Sequence, residues 1–132
     1  MNENKEKYMK ITVTGIHHIM ITVGDIEKAK EFYNKILGFE EMVIPNGIEG
    51  PRAWYKLGST ELHVNEHSKY QAGNSHFAIS VGESQYKSYI AHIETSGYEK
   101  KSNCERYVDG YYRLYIHDPF GNCIEIINAK FK

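Results

Sequence analysis

Residues 18–40, HIMITVGDIEKAKEFYNKILGFE, return at 76–99 as HFAISVGESQYKSYIAHIETSGYE. A histidine, then TVGD or SVGE, then an apolar-periodic stretch, then GFE or GYE follow in the same order. The displacement is 58 residues from His18 to His76 and 59 from Gly38 to Gly97, so one residue is inserted between these landmarks. The chain is a duplication, and its fold is decided by what the repeated unit does.

Each unit reads as a strand, a helix and then further strands. In the first, Asp25 is placed to cap a helix whose apolar face is Ile26, Ala29, Tyr33 and Ile36, with Gly38 as the stop. In the second, Ser84 is the expected cap, Tyr86, Ile90 and Ile93 the face, and Gly97 the stop. Short β-rich runs follow each helix, punctuated by PNGIEGP at 45–51, GST at 58–60, VDG at 108–110 and DPFGN at 118–122. HSKYQAGN, 67–74, is the polar link between the copies. Neither half can bury a sheet alone, so the halves are expected to pair.

The size of the chain, 132 residues with 41% hydrophobic content, suits one core and hence a single domain over 1–132. Sixteen Lys and Arg against 17 Asp and Glu leave no positive excess to neutralise phosphates, which argues against a nucleic-acid partner. The polar start MNENKEKYMK and the lack of any long apolar run argue for a cytoplasmic protein with no membrane partner. Cys104 and Cys123 have neither the number of a disulfide scaffold nor zinc-knuckle spacing. Cys123 is read as packing and Cys104 as an exposed thiol.

Strand phase separates the adjacent histidines 17 and 18, because successive side chains of a strand point to opposite faces. Ile19, Ile21 and Val23 form the branched apolar face that packs under the helix; His18, Met20 and Thr22 look the other way, and His17 is expected on the core side. The second copy repeats this with Phe77, Ile79 and Val81 against His76, Ala78 and Ser80. Near the end of each copy, Leu62 and Val64 oppose His63, and Ile124 and Ile126 oppose Glu125. Four side chains of metal-ligand type, His18, His63, His76 and Glu125, therefore share the face away from the helices. Single histidines such as His67, His92 and His117 are read as structural. Arg113 and Tyr115 share a phase opposite Leu114 and Ile116 and are expected to contact substrate, whereas Trp54, alternating with Tyr55, is not assigned to a face.

GIHHIMITVGD, EFYNKILGF, ELHV, SHFAISV and RLYIHDPFGNCIEI, in that order from about Gly15 to Asn128, resemble the vicinal oxygen chelate superfamily. That superfamily includes glyoxalase I, extradiol dioxygenases, fosfomycin-resistance thiol transferases and bleomycin-resistance proteins. The resemblance implies an α+β fold in which two βαβββ modules, 11–66 and 75–128, form a cupped, open mixed β-barrel with flanking helices. It maps the family's ligand positions onto His18, His63, His76 and Glu125. Glyoxalase I carries Glu or Gln where His63 aligns, so its second carboxylate is missing from this set. The thiol transferases and dioxygenases use two His and one Glu, which leaves one histidine in surplus.

Three imidazoles and one carboxylate suit one divalent transition metal, Zn, Ni, Fe, Mn or Co. The expected function is a metal-dependent glyoxalase-like enzyme, a lyase or isomerase, acting on a small substrate that chelates the ion through adjacent oxygens. Glu125 is the expected proton-moving base. A bleomycin-type binding protein and an Fe(II) extradiol-type dioxygenase are the alternatives. A homodimer is expected, because two small cupped modules leave exposed sheet edges and the resembled family usually dimerises.

Overall fold

A computed structural model describes residues 8–99 and 106–129. In chain order the elements are β1 (His18–Val23), α1 (Ile26–Lys30) continued by a π-helical segment (Glu31–Ile36), β2 (Glu40–Met42), β3 (Arg52–Leu57), β4 (Thr60–Glu66), β5 (His76–Ser80), α2 (Glu83–Thr95), β6 (Arg106–Val108), β7 (Tyr111–His117) and β8 (Cys123–Ile127). Cys104 lies outside the described residues.

The duplication is visible in the pairing. Among the described residues the strands form two four-stranded mixed sheets, ordered β1-β4-β3-β2 and β5-β8-β7-β6, each with one parallel pair and an antiparallel meander. The expected pair of βαβββ units is thus present; the sheets stand open and do not close into a barrel. Alternation decides which face is covered. Val23, Ala53, Tyr55, Leu62 and Val64 of the first sheet, and Leu114, Ile116, Ile124 and Ile126 of the second, are buried with Ile26, Ala29, Phe32, Tyr33, Leu37, Tyr86 and Ile93 from the helices and their flank.

Local chemistry explains the helices and two departures from expectation. Asp25 caps α1 from an extended conformation, its side chain accepting from the Lys28 N–H at 3.0 Å. The following turn is wound wider: the Leu37 N–H donates to the Phe32 carbonyl at 2.9 Å, five residues back. That extra residue rotates the face, so Phe32 and Leu37 enter the core and Ile36, expected there, is only half-buried. Gly38, at φ 68°, ends the segment, as Gly97 at φ 77° ends α2. Ser84 does not cap α2. The N-cap is Gly82, whose carbonyl accepts from Gln85 and Tyr86. Glu83 occupies the place of Asp25 in the repeat, but its longer side chain suits the first turn better than the cap.

His17 is not on the core side. It precedes β1, is exposed, and brings its Nδ1 to 2.9 Å from that of His18. A strand-phase argument fails there because the strand has not yet begun.

The two modules are tied by a buried polar hub. Asp118 is 0% exposed; its Oδ1 accepts from the Phe120 and Asn122 N–H groups at 2.8 and 2.9 Å, and its Oδ2 from the Tyr33 hydroxyl and the Asn122 amide at 2.8 Å each. Asn122 in turn donates to the Thr22 carbonyl of β1 at 2.9 Å and accepts from Tyr70. Gly24 leaves room for Phe120: a Cβ there would stand 3.2 Å from its ring.

Asp118→Ala is expected to destabilise the chain by about 3 kcal/mol, since it strands several buried donors at once, and Tyr33→Phe by about 1 kcal/mol, both read as urea midpoints. Burial, reinforced for Tyr33 by Asp118, pushes the phenols of Tyr33, Tyr55, Tyr89 and Tyr98 above their ordinary range. Unfolding lets them ionise normally, so the unfolded chain binds fewer protons than the folded one once pH exceeds about 10. Stability is therefore expected to be full below that pH and to fall as it rises further, with the urea midpoint as the measure.

Candidate functional site

The face left open by the helices carries all four expected ligand positions, but the chain brings them together as two pairs. In the second module, β5 and β8 are parallel and set Ala78 opposite Glu125. His76, two residues earlier on the same face, reaches across so that its Nε2 lies 3.1 Å from Glu125 Oε1. Glu125 is buried, its side chain 8% exposed, and the Arg113 guanidinium on β7 stands 3.8 Å from its second oxygen. Arg113 Nη2 donates to the Val108 carbonyl at 3.1 Å, while its buried Nε makes no hydrogen bond among the described residues. Tyr115, opposite Glu125 on β7, sets its ring edge-on to His76 with centroids 5.5 Å apart. Arg113 and Tyr115 thus lie where strand phase puts them.

Beside His76, a cavity of about 390 Å³ opens between β1 and β5, with Met20, Thr22, Tyr70, Asn122 and Cys123 among its lining residues. Cys123, half-buried, is the register partner of His76 and faces this cavity, whereas the sequence suggested only packing. Burial, then the Glu125 carboxylate, pushes its thiol up, which keeps it protonated and a poor nucleophile.

In the first module the equivalent positions form a ring stack. Trp54 and His63, opposite each other on β3 and β4, lie parallel with centroids 3.7 Å apart at an interplanar angle of 2°. His18 covers the other face of His63 at 4.1 Å and 13°, and His17 meets His18 edge-on. Trp54 is thereby assigned to the open face and Tyr55 to the core.

Glu61, which sequence reasoning passed over, also belongs here. It is the register partner of His18 in the parallel β1–β4 pair and lies two residues from His63, hence on the same face. Its Oε1 is 2.9 Å from His63 Nε2. This bond lowers the carboxyl below its usual range; burial opposes the shift, and the charges of His17, His63 and His18 assist it. The signal was available: in TELHV, Glu61 alternates with Leu62 exactly as His63 does with Val64.

Among the described residues, no three His, Cys, Asp or Glu side chains are gathered closely enough within one chain to hold a metal ion. Of the remaining histidines, His67 accepts from the Lys69 N–H at 3.2 Å, His92 Nε2 lies 3.3 Å from the Lys35 carbonyl, and His117 ends β7 as the register partner of Cys123, in the phase of Arg113 and Tyr115.

A family model described as the Glyoxalase/Bleomycin resistance protein/Dioxygenase superfamily matches residues 15–126. The chain is 25% identical over 120 residues to metallothiol transferase FosB of Shouchella clausii strain KSM-K16, covering 86% of this chain and 80% of that protein. A glyoxalase family protein from Bacillus anthracis superposes with a TM-score of 0.76 at 26% identity, covering 92% of this chain and all of that one. The fosfomycin resistance protein FosX of Listeria monocytogenes shares the fold with a TM-score of 0.73 at 19% identity, over 91% of this chain and 97% of that one.

A carboxylate only accepts hydrogen bonds, so the nitrogen of His63 facing Glu61 carries the proton. Long-range ¹H–¹⁵N spectra of the imidazoles are expected to show His63 as the Nε2–H tautomer, and Glu61→Ala to release it to a mixture.

Proposed function

This chain belongs to the glyoxalase/bleomycin resistance protein/dioxygenase superfamily, and on that premise we propose that it is a divalent-metal-dependent enzyme of glyoxalase type, a lyase or isomerase acting on a small substrate. The observation that carries the reading is the His76–Glu125 pair. Two donors of different type, 3.1 Å apart, have the separation that neighbouring ligands take when each sits about 2.1 Å from a common ion. The donor chemistry fits as well, since imidazole with carboxylate suits Zn, Ni, Fe, Mn or Co. His18 and His63 are the imidazoles the first module can add. A bound divalent ion supplies Lewis acidity toward adjacent substrate oxygens.

The chain's own groups supply the rest. Glu125 is the base that moves the substrate proton, between the His76 ring and the Arg113 guanidinium. The Arg113 guanidinium, whose Nη1 stands 3.8 Å from Glu125, is the cation placed to meet a developing oxyanion. Tyr115 steadies the His76 ring from its edge. Because the two pairs do not meet within one chain, we take the working form to be a homodimer in which the first module of one copy completes the His76–Glu125 pair of the other. The identity to FosB favours one second reading, transfer of a thiol to a small substrate on the same residues. Consumption of free thiol during turnover separates the two.

Protein loaded with Ni²⁺ is expected to hold one ion per chain, and His18→Ala, His76→Ala and Glu125→Ala each to lower that content, with His17→Ala without effect; metal analysis of the desalted protein is the check. Mixing His18→Ala with His76→Ala chains is expected to restore about a quarter of the sites if they are shared between copies, and none if each chain builds its own.

A further inference from the structure

Residues 8–16 carry the pattern of a strand but have nothing beside them. Tyr8, Met9, Ile11, Val13 and Ile16 are each 64% to 81% exposed and make up five of the ten large apolar side chains exposed among the described residues. Met9, Ile11 and Val13 alternate with Lys10, Thr12 and Thr14, so an extended backbone puts the apolar groups on one side and the polar ones on the other. That is the signature of a half-buried strand. Yet residues 8–15 belong to no element and make no hydrogen bond among the described residues. Residues 8–14 also precede the segment that matches the family, 15–126, so the shared fold does not account for them.

Their direction explains the exposure. The Glu61 N–H donates to the His17 carbonyl at 2.9 Å, and the Thr60 hydroxyl to the Ile16 carbonyl at 3.0 Å, which pins the base of this arm to the start of β4. Strands β1 and β4 are parallel and β4 begins at Thr60, so what precedes Ile16 runs past the end of the sheet. No strand of the same sheet is there to receive it.

A receiver lies at the foot of the arm. A cavity of about 630 Å³ opens between the β3–β4 turn and β5, lined by Ile19, Phe39, Leu57, Phe77 and Ile79, and by Ile16 itself. Strand β5 is an edge there, hydrogen-bonded to β8 alone among the described strands, and its five residues match in length the stretch from Met9 to Val13. Residues 9–14, extended, reach about 20 Å. Pinned at its base and running off the sheet, the arm enters its own cavity only by doubling back. Two copies related by a twofold axis near the cavity mouth exchange arms without that reversal.

We propose that residues 9–13 dock as an added strand in the Phe77–Ile79 cavity of a second copy of this chain, with Met9, Ile11 and Val13 turned inward, and that each copy receives the other's arm. The apolar walls supply the affinity, and the open edge of β5 the backbone partners. The proposal rests on the homodimer of the preceding reading, and on neither the metal nor the reaction.

The test follows the Lys10–Ile11 bond, which trypsin cuts when the arm is free. The full chain is digested at about 100-fold below and about 100-fold above its monomer–dimer Kd, measured by sedimentation velocity, and cleavage after Lys10 is expected to slow about 10-fold at the higher concentration. Ile11→Ser combined with Val13→Ser, at side chains that a single chain leaves exposed, is expected to raise the Kd about 10-fold or more and to lose the protection. Leu57→Asp, which puts a charge in the receiving cavity, is expected to do the same; should it not fold, the arm variant decides alone. Protection that does not depend on concentration would show the arm folded into its own chain, and an unchanged Kd for the arm variant would show a dimer formed without it. Either result overturns the arm exchange and leaves the homodimer standing. A wild-type chain that stays monomeric at every concentration reached would overturn both, with metal content still the separate measure of the metal reading.

Discussion

The carboxylate of Asp118 is the constraint on which the arrangement of this molecule depends. It is wholly buried yet belongs to a turn, and it closes that turn on itself through the backbone of Phe120 and Asn122 while accepting from Tyr33 in the helix of the other module. A charge so placed is tolerable only when every lone pair is used, and here four donors use them. The consequence reaches the site. Asn122, oriented by Asp118, also holds the carbonyl of Thr22, so the turn leading into β8 is fastened to the end of β1. Strand β8 carries Glu125 and β1 carries His18, and their relation within the chain is set through this hub.

Tyrosine does the same work at lower cost elsewhere. Tyr70 reaches Asn122, Tyr89 the carbonyl of Leu37, and Tyr98 the carbonyl of His117. Each buries ring surface while its hydroxyl satisfies an acceptor in another element, so apolar packing and polar closure come from one side chain. That accounts for a composition with 11 tyrosines against five phenylalanines: elements joined by irregular turns present backbone carbonyls that a phenylalanine would strand.

Much of this was legible from residues alone, and for a physical reason. Period-2 alternation runs through most of β1, β4, β7 and β8, and the repeat doubles the sample, so the apolar face and the open face could be told apart from the sequence. Phase says which way a side chain leaves a strand and nothing about how far it reaches along the face. It therefore placed His18, His63, His76 and Glu125 on one side, but could not foresee that His63 would be taken up in a stack with Trp54 or that Glu61 would lie beside His18. The widened turn after α1 was equally hidden, because one extra residue per turn leaves no mark in composition. His17 was misread for the simplest reason: periodicity holds only inside an element, and β1 starts one residue later.

The two modules show how a duplicated scaffold separates what it must keep from what it is free to change. Register is kept: Trp54 faces His63 as Tyr115 faces Glu125, and Met20 faces His63 as Ala78 faces Glu125. The buried faces also match in kind, since both sheets must cover a helix with branched apolar side chains. On the open face the same positions have diverged in chemistry. The first module stacks the rings of Trp54, His63 and His18 in parallel, with the Glu61 carboxylate against His63, and the second opposes a carboxylate to a guanidinium and an imidazole. Ring stacks are stiff but weakly directional, whereas charged groups are directional but need fixed surroundings to hold their geometry. In the first module the stack holds a directional contact, His63 against Glu61, in place; in the second the charged groups Arg113, Glu125 and His76 hold one another.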